Sequence, residues 1–168
     1  MLYNEKQVRG GIGVSQTALL VVDIQTGTLA PLIAKEKLLA NVNALIDHFH
    51  REKHPIIFIK KVGYGEVSQK VNRELTDQVV SKVQMDTFKS PDFKKLIAEH
   101  DLGEFVVVGL MSNACVQSTC KGALREGYPV TLIEDAHDSV IKPMRNIWNK
   151  KLRHSGVTLM TTKKYLEK

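Results

Sequence analysis

The run Glu104-Phe105-Val106-Val107-Val108-Gly109 constrains this chain more than any other feature. It has neither the two-residue alternation of a half-buried strand nor the polar stripe of a surface helix. A short continuous apolar run rich in β-branched residues reads as a strand covered on both faces, as the middle of a parallel sheet requires. Residues 17–23, 55–60 and 130–134 have the same character, and Gln78–Lys82 and residues 156–160 are weaker versions. Helix-period segments separate them. Residues 36–52 carry Leu38, Leu39, Val42, Leu45, Ile46 and Phe49 at helical spacing. Ser90 and Pro91 open a second helix that carries Phe93, Leu96 and Ile97. Residues 113–126 form a third, with Val116, Cys120, Ala123 and Leu124 on one face and Gly127 as its C-cap. Pro143–His154 forms a fourth, with Met144, Ile147, Trp148 and Leu152 inward. Residues 61–77 are polar, include Gly63-Tyr64-Gly65, and read as a loop.

Strands alternating with helices predict an α/β fold: a parallel sheet between two helical layers, α/β/α. The length of 168 residues predicts a single domain over 1–168. In such sheets the chemistry sits beyond the carboxyl ends of the strands, where the strand order reverses.

Four segments end there. Asp23 closes the first strand and Lys82 closes the third. After the central strand comes Gly109-Leu110-Met111-Ser112-Asn113-Ala114-Cys115-Val116, a turn into a helix, and Asp135-Ala136-His137 follows the next strand. A thiol in the first turn of a helix feels the positive end of the dipole, and a lysine beside it also favours the thiolate. An aspartate there could take the thiol proton and pass it to a leaving group. The bland alternative carries equal weight on spacing alone. A cysteine near an apolar helix face is more often inert core, and Cys120 fits that description well. Asp23 as a turn former and Lys82 as a solvated side chain are equally ordinary. His137 either contacts a substrate or caps the following turn.

Composition narrows the function classes. The chain carries 24 Lys and Arg against 18 Asp and Glu, a net charge of +6. The basic pairs are dispersed, so they read as solvated surface and no nucleic-acid partner is expected. No apolar run approaches the roughly 18 residues that span a bilayer, so no membrane partner is expected. Residues 1–6 lack an apolar segment, which predicts no secretory leader. The two cysteines, Cys115 and Cys120, make no disulfide framework and no CxxC motif, and this predicts a reducing, cytoplasmic location.

Three stretches resemble the isochorismatase-like cysteine hydrolases, which include nicotinamidases and N-carbamoylsarcosine amidases. Ala18-Leu19-Leu20-Val21-Val22-Asp23-Ile24-Gln25 is similar to the family's strand ending in Asp-x-Gln. Lys82 followed by Asp86-Thr87-Phe88 is similar to its lysine and downstream Phe motif. Gly109 to Val116 is close to its Gly-x-x-Thr/Ser-Asn/Asp-x-Cys-Val, and Ala123-Leu124-Arg125-Glu126-Gly127-Tyr128-Pro129-Val130 also matches. The resemblance runs from about Thr17 to Met160. It implies a six-stranded parallel sheet, a triad of Asp23, Lys82 and Cys115, and a cis peptide between Leu110 and Met111 that aims the Met111 and Cys115 N–H groups into an oxyanion hole. Candidate substrate-pocket residues are Gln25, Leu29, Phe88, Leu110, Asn113 and His137. The implied activity is hydrolysis of a small-molecule amide or related C–N bond through a cysteine thioester. Vinyl-ether hydrolysis of the isochorismatase type, and a non-catalytic binding or scaffold role, are the alternatives.

Two departures sharpen this expectation. Thr26-Gly27-Thr28-Leu29 stands where many members carry Asn-Asp-Phe, which removes an aromatic pocket wall. Nicotinamidases place metal-binding histidines after the second strand, whereas residues 61–77 hold none. His48 and His50 lie two apart on a helix and diverge. No metal and no cofactor are therefore expected. Homo-oligomers are typical of the resemblance, and a second subunit completing the pocket is expected.

Overall fold

The computed structural model describes residues 15–168, so the stretch expected to lack a leader, residues 1–6, lies outside the described residues. Six strands form one parallel sheet: β1 (Gln16–Val22), β2 (Ile56–Lys61), β3 (Gln78–Lys82), β4 (Leu102–Leu110), β5 (Val130–Asp138) and β6 (Thr158–Met160), in the order β3-β2-β1-β4-β5-β6. The helices are α1 (Thr26–Leu29), α2 (Glu36–Arg51), α3 (Pro91–Glu99), α4 (Gln117–Arg125), α5 (Pro143–His154) and α6 (Thr162–Leu166).

Strand alternation builds the three layers. Ala18, Leu20 and Val22 of β1 face one core together with Phe93, Val116, Cys120, Ala123 and Leu152 from the α3, α4 and α5 side. Leu19 and Val21 face the other, with Leu38, Val42, Leu45, Ile46 and Phe49 of α2. Phe105 and Val107 of β4 face the first core and Val106 and Val108 the second, so the run that predicted a doubly covered strand is one. Each such side chain taken fully from water contributes about 1.5–3 kcal/mol. Among the described residues no helix is long and apolar enough to cross a membrane.

The order reverses between β1 and β4, which pair in parallel from Thr17↔Glu104 to Val22↔Gly109. Gly109 is the residue that this closeness demands. Its φ is +126°, and a Cβ there would stand 2.0 Å from Val22 O. The crevice beyond this pair is where α/β sheets of this order hold their ligands.

The structure differs from the sequence expectation at the element ends. Residues 113–126 are not one helix: a π-type turn, Ser112–Val116, precedes α4, because Ala114 (φ −130°, ψ −105°) breaks the helical backbone. The strand expected to stop at Glu134 continues to Asp138, after a register shift between Val107 and Gly109 in its pairing with β4. Helix α6, where none was anticipated, is capped by Thr161, which accepts from Lys164 N, and is tied to β5 by Thr162, whose N–H and hydroxyl both donate to Asp135 Oδ1.

Candidate active site

The turn after β1 sets the first group. Asp23 adopts φ 50°, the left-handed region that Asp tolerates better than most residues, and its N–H donates to Ile59 O at 3.0 Å. Two side chains hold this bend. The Thr28 hydroxyl donates to Asp23 O. Gln25 clasps the end of β2: its Oε1 accepts from Lys61 N at 2.9 Å, and its Nε2 donates to Lys61 O at 2.9 Å and Gly65 O at 2.8 Å. The bend turns the Asp23 carboxylate off the strand line, and it is almost wholly buried.

Lys82 reaches the same point from the end of β3, two strands away. Its ammonium lies 3.4 Å from Asp23 Oδ2 and donates to Met85 O at 2.7 Å. Its backbone is fixed by Val62 N, which donates to Lys82 O at 2.9 Å. The segment that follows is pinned to α4. Asp86 accepts from Phe88 N and pairs with Arg125 at 2.8 Å, Thr87 and Thr119 share a hydroxyl bond of 2.8 Å, and a Cβ at Gly122 would collide with Asp86 Oδ1 at 2.2 Å.

Cys115 comes from the turn after β4. The Leu110–Met111 peptide is cis. Met111 O accepts from both Ala114 N and Val116 N at 3.1 Å, which closes the turn. Cys115 is only 5% exposed and faces Asp23 and Lys82 closely enough for each to act on its proton affinity. The thiol and the Asp23 carboxyl interact directly, while Asp23 Oδ1 is buried with no hydrogen bond of its own.

These surroundings set the proton. Burial raises the Asp23 pKa above its ordinary value, opposed by the Lys82 charge and then by the thiol and Lys61. Burial likewise pushes the Cys115 thiol up to about 11; the Asp23 charge adds to the rise, and Lys82 opposes it. The expected dipole-stabilised thiolate is therefore corrected. Cys115 lies in the irregular turn ahead of α4, not in a helical first turn, and desolvation outweighs the cation beside it. Burial thus favours the neutral thiol, beside a carboxyl and an amine that lie 3.4 Å apart. Such a thiol needs a base in contact with it to become a nucleophile, and Asp23 stands in that position.

A family model for the isochorismatase domain matches residues 17–164. The chain belongs to the isochorismatase family. The uncharacterized isochorismatase family protein YddQ of Bacillus subtilis is 29% identical over 138 residues, covering 71% of this chain and 76% of that protein. An isochorismatase-like hydrolase from Alkaliphilus metalliredigens superposes with TM-score 0.80 at 19% identity, over 91% of this chain and 98% of its own. A cysteine hydrolase from Pseudomonas syringae pv. phaseolicola superposes with TM-score 0.84 at 15% identity, over 90% and 91%. At such identities the two structural likenesses speak for the fold.

Within this isochorismatase-family fold, Asp23, Lys82 and Cys115 converge, and the expected pocket residues are held in their surroundings. Gln25 is fully buried, and its amide is spent on the β2 backbone. Leu29 and Leu110 point into the core on the α2 face. Phe88 is the hub of an aromatic cluster with Phe93, Phe105 and Tyr128, at centroid distances of 5.1, 5.2 and 5.8 Å. All four are buried, as Asp23, Lys82 and Cys115 themselves are, and none of them lines the cleft beside the site. Asn113 is half-buried, and its Oδ1 accepts from Ser139 Oγ at 3.0 Å. His137 neither caps a turn nor faces solvent: it lies within β5, fully buried, bonded to Ser112 and Asn149.

A cleft of about 510 Å³ lined by Val62, Ser81, Lys82, Val83, Asp86 and Ser90 borders the site without reaching Asp23 or Cys115. Among the described residues no group of three His, Cys, Asp or Glu side chains could hold a metal ion. Sequence reasoning missed Thr28 and Met85, which hold Asp23 and Lys82 in place. A Thr in a polar turn and a backbone carbonyl give no sequence signal of such roles.

Proposed function

We propose that this isochorismatase-family chain is a cysteine hydrolase that cleaves a small-molecule amide or related C–N bond through a thioester on Cys115. The observation that carries this reading is the buried constellation of one thiol, one carboxylate and one ammonium at the β1/β4 crevice. Three such groups would not share a dry site for stability, since burying charge costs more than its pairing returns unless geometry is excellent.

Asp23 takes the thiol proton as sulfur attacks the carbonyl carbon. The tetrahedral oxyanion is held by the Met111 and Cys115 N–H groups at the cis-linked turn. Lys82 keeps Asp23 ionised before the transfer and balances the charge as it moves. Collapse of the intermediate breaks the C–N bond, and Asp23-H protonates the departing nitrogen. Asp23 then deprotonates a water that attacks the thioester, and the carboxylic acid leaves with the thiol restored. A neutral resting thiol suits this sequence, because the same proton serves the leaving group.

The small-molecule substrate must enter where Cys115 is nearly closed. Val62, Tyr64, Val83 and Met85 are exposed apolar side chains at and beyond the carboxyl ends of β2 and β3. They support a homo-oligomer in which a second copy completes the pocket, a state that light scattering on the purified protein would reveal.

A panel of small amides, ureides and carbamoyl compounds tests the reaction. Wild type is expected to hydrolyse at least one member and to show a transient acyl adduct on the peptide holding Cys115. Full activity in Cys115→Ala would refute the mechanism. Activity that survives Cys115→Ser but not Asp23→Asn would point to vinyl-ether chemistry instead.

A further inference from the structure

Beyond the three converging groups, β5 carries a side-chain chain that ends on the nucleophile's own turn. Asn149 of α5 donates from Nδ2 to Glu134 O at 3.0 Å, which fixes its amide so that Oδ1 faces His137 Nε2 at 2.7 Å. An amide oxygen only accepts, so Nε2 carries the imidazole proton and Nδ1 is bare. Ser112 Oγ lies 2.7 Å from that Nδ1 and must therefore donate to it. Every bond runs one way: Ser112 to His137, His137 to Asn149, Asn149 to Glu134 O. Burial holds the His137 pKa down at about 4; Arg145 lowers it further, while Asn149, Asp138 and Asp135 oppose. The ring is thus neutral at physiological pH, as the tautomer requires.

The far end of this chain matters because of where Ser112 sits. It is the first residue of the turn Ser112–Val116, three residues ahead of Cys115, and it is fully buried. Its neighbour Asn113 is held from the same side by the Ser139 hydroxyl. Two successive residues of the turn are thus fastened to two β5-side residues, His137 and Ser139. The turn does not have regular helical geometry to hold itself, since Ala114 lies outside the helical region.

We propose that His137 is a positioning residue for Cys115: locked by Asn149 in its Nε2–H tautomer, it grips Ser112 and so holds the turn that faces the thiol toward Asp23. The role presupposes the cysteine chemistry proposed above.

Two pairs of variants separate positioning from packing. Asn can place an acceptor where Nδ1 stands, and Gln can place a donor where Nε2 stands, so His137→Asn keeps the Ser112 bond and His137→Gln loses it. Ser112→Thr keeps the hydroxyl and Ser112→Ala removes it. The readouts are the pH profile of Cys115 alkylation, which needs no substrate, kcat and KM on a panel amide, and melting temperature. Ser112→Ala and His137→Gln are expected to move the alkylation midpoint from about 11 toward the ordinary thiol value of 9.0 as the loosened thiol loses its burial and swings away from Asp23. They should also lower kcat tenfold or more with KM within about twofold, while Ser112→Thr and His137→Asn stay near wild type. The proposal is overturned if all four melt lower yet keep the wild-type Cys115 profile, or if His137→Asn and His137→Gln behave alike. A shifted profile in a protein that hydrolyses no panel amide supports the clamp and counts against the hydrolase reading alone.

Discussion

Cys115 and Cys120 are five residues apart, both free, and both in the core cluster on the α3–α5 side of the sheet. Burial pushes both thiols up, to about 11 and about 12 respectively. Nothing in exposure or helix proximity marks one as reactive. Their neighbours do. Burial is the sole influence on the Cys120 proton, whereas Cys115 also feels the charges of Asp23 and Lys82. A candidate nucleophile is thus recognised by the base and cation brought to it from other strands, not by a depressed resting pKa.

Turnover breaks or sharpens this contrast most strongly. Cys115→Ala is expected to lower hydrolysis of the best panel substrate by at least about 10³-fold, with Cys120→Ala within about twofold of wild type. Equal losses in steady-state assays would erase the distinction between the two sites. Asp23→Asn comes next: it should cost about 10²- to 10⁴-fold in kcat while leaving Cys115 in place, because the thiol keeps its position but has no base.

Stability should reverse the ranking. Cys120→Ala leaves a void among Val116, Ala123 and their neighbours and is expected to cost about 1 kcal/mol or more in urea unfolding. Cys115→Ala, which lifts a thiol from beside a buried carboxyl and amine at the core's edge, should cost less. The smallest effect is a pH dependence. Both thiols have folded pKa values above the ordinary 9.0, so the stability they contribute is complete below that pH and is lost as pH rises through about 11 and about 12. Between pH 9 and 12, Cys120→Ala should therefore lose less stability than wild type, measured as the change in urea midpoint.

The fold was legible where burial repeats a simple pattern. Val106, Val107 and Val108 of β4 announce a doubly covered strand, and β1, β2 and β5 follow from runs like it, because a strand hidden on both faces leaves apolar residues no alternative. The convergence of Asp23, Lys82 and Cys115 was legible only through family resemblance joined to the rule for strand ends. Spacing alone left Cys115 open to the inert-core reading that Cys120 fits well. The illegible parts share one physical cause: their shape is set by partners distant in sequence. Ala114 breaks the expected helix although Ala is a strong helix former, because the turn closes on Met111 O. His137 belongs to β5 because Gly109 pairs with it across the bulge and Ser112 and Asn149 satisfy its ring. Phe88 packs among Phe93, Phe105 and Tyr128, a cluster its motif does not announce.

The most direct measurement is the alkylation rate of Cys115 against pH, read by peptide mass spectrometry in wild type and in Asp23→Asn. Burial is the main reason the wild-type thiol is pushed up to about 11; if Asp23 adds to that rise, the midpoint falls in Asp23→Asn, since the lost negative charge no longer opposes the thiolate while Lys82 still favours it. A midpoint that Asp23→Asn leaves unmoved would contradict the coupling on which the catalytic role of Cys115 depends.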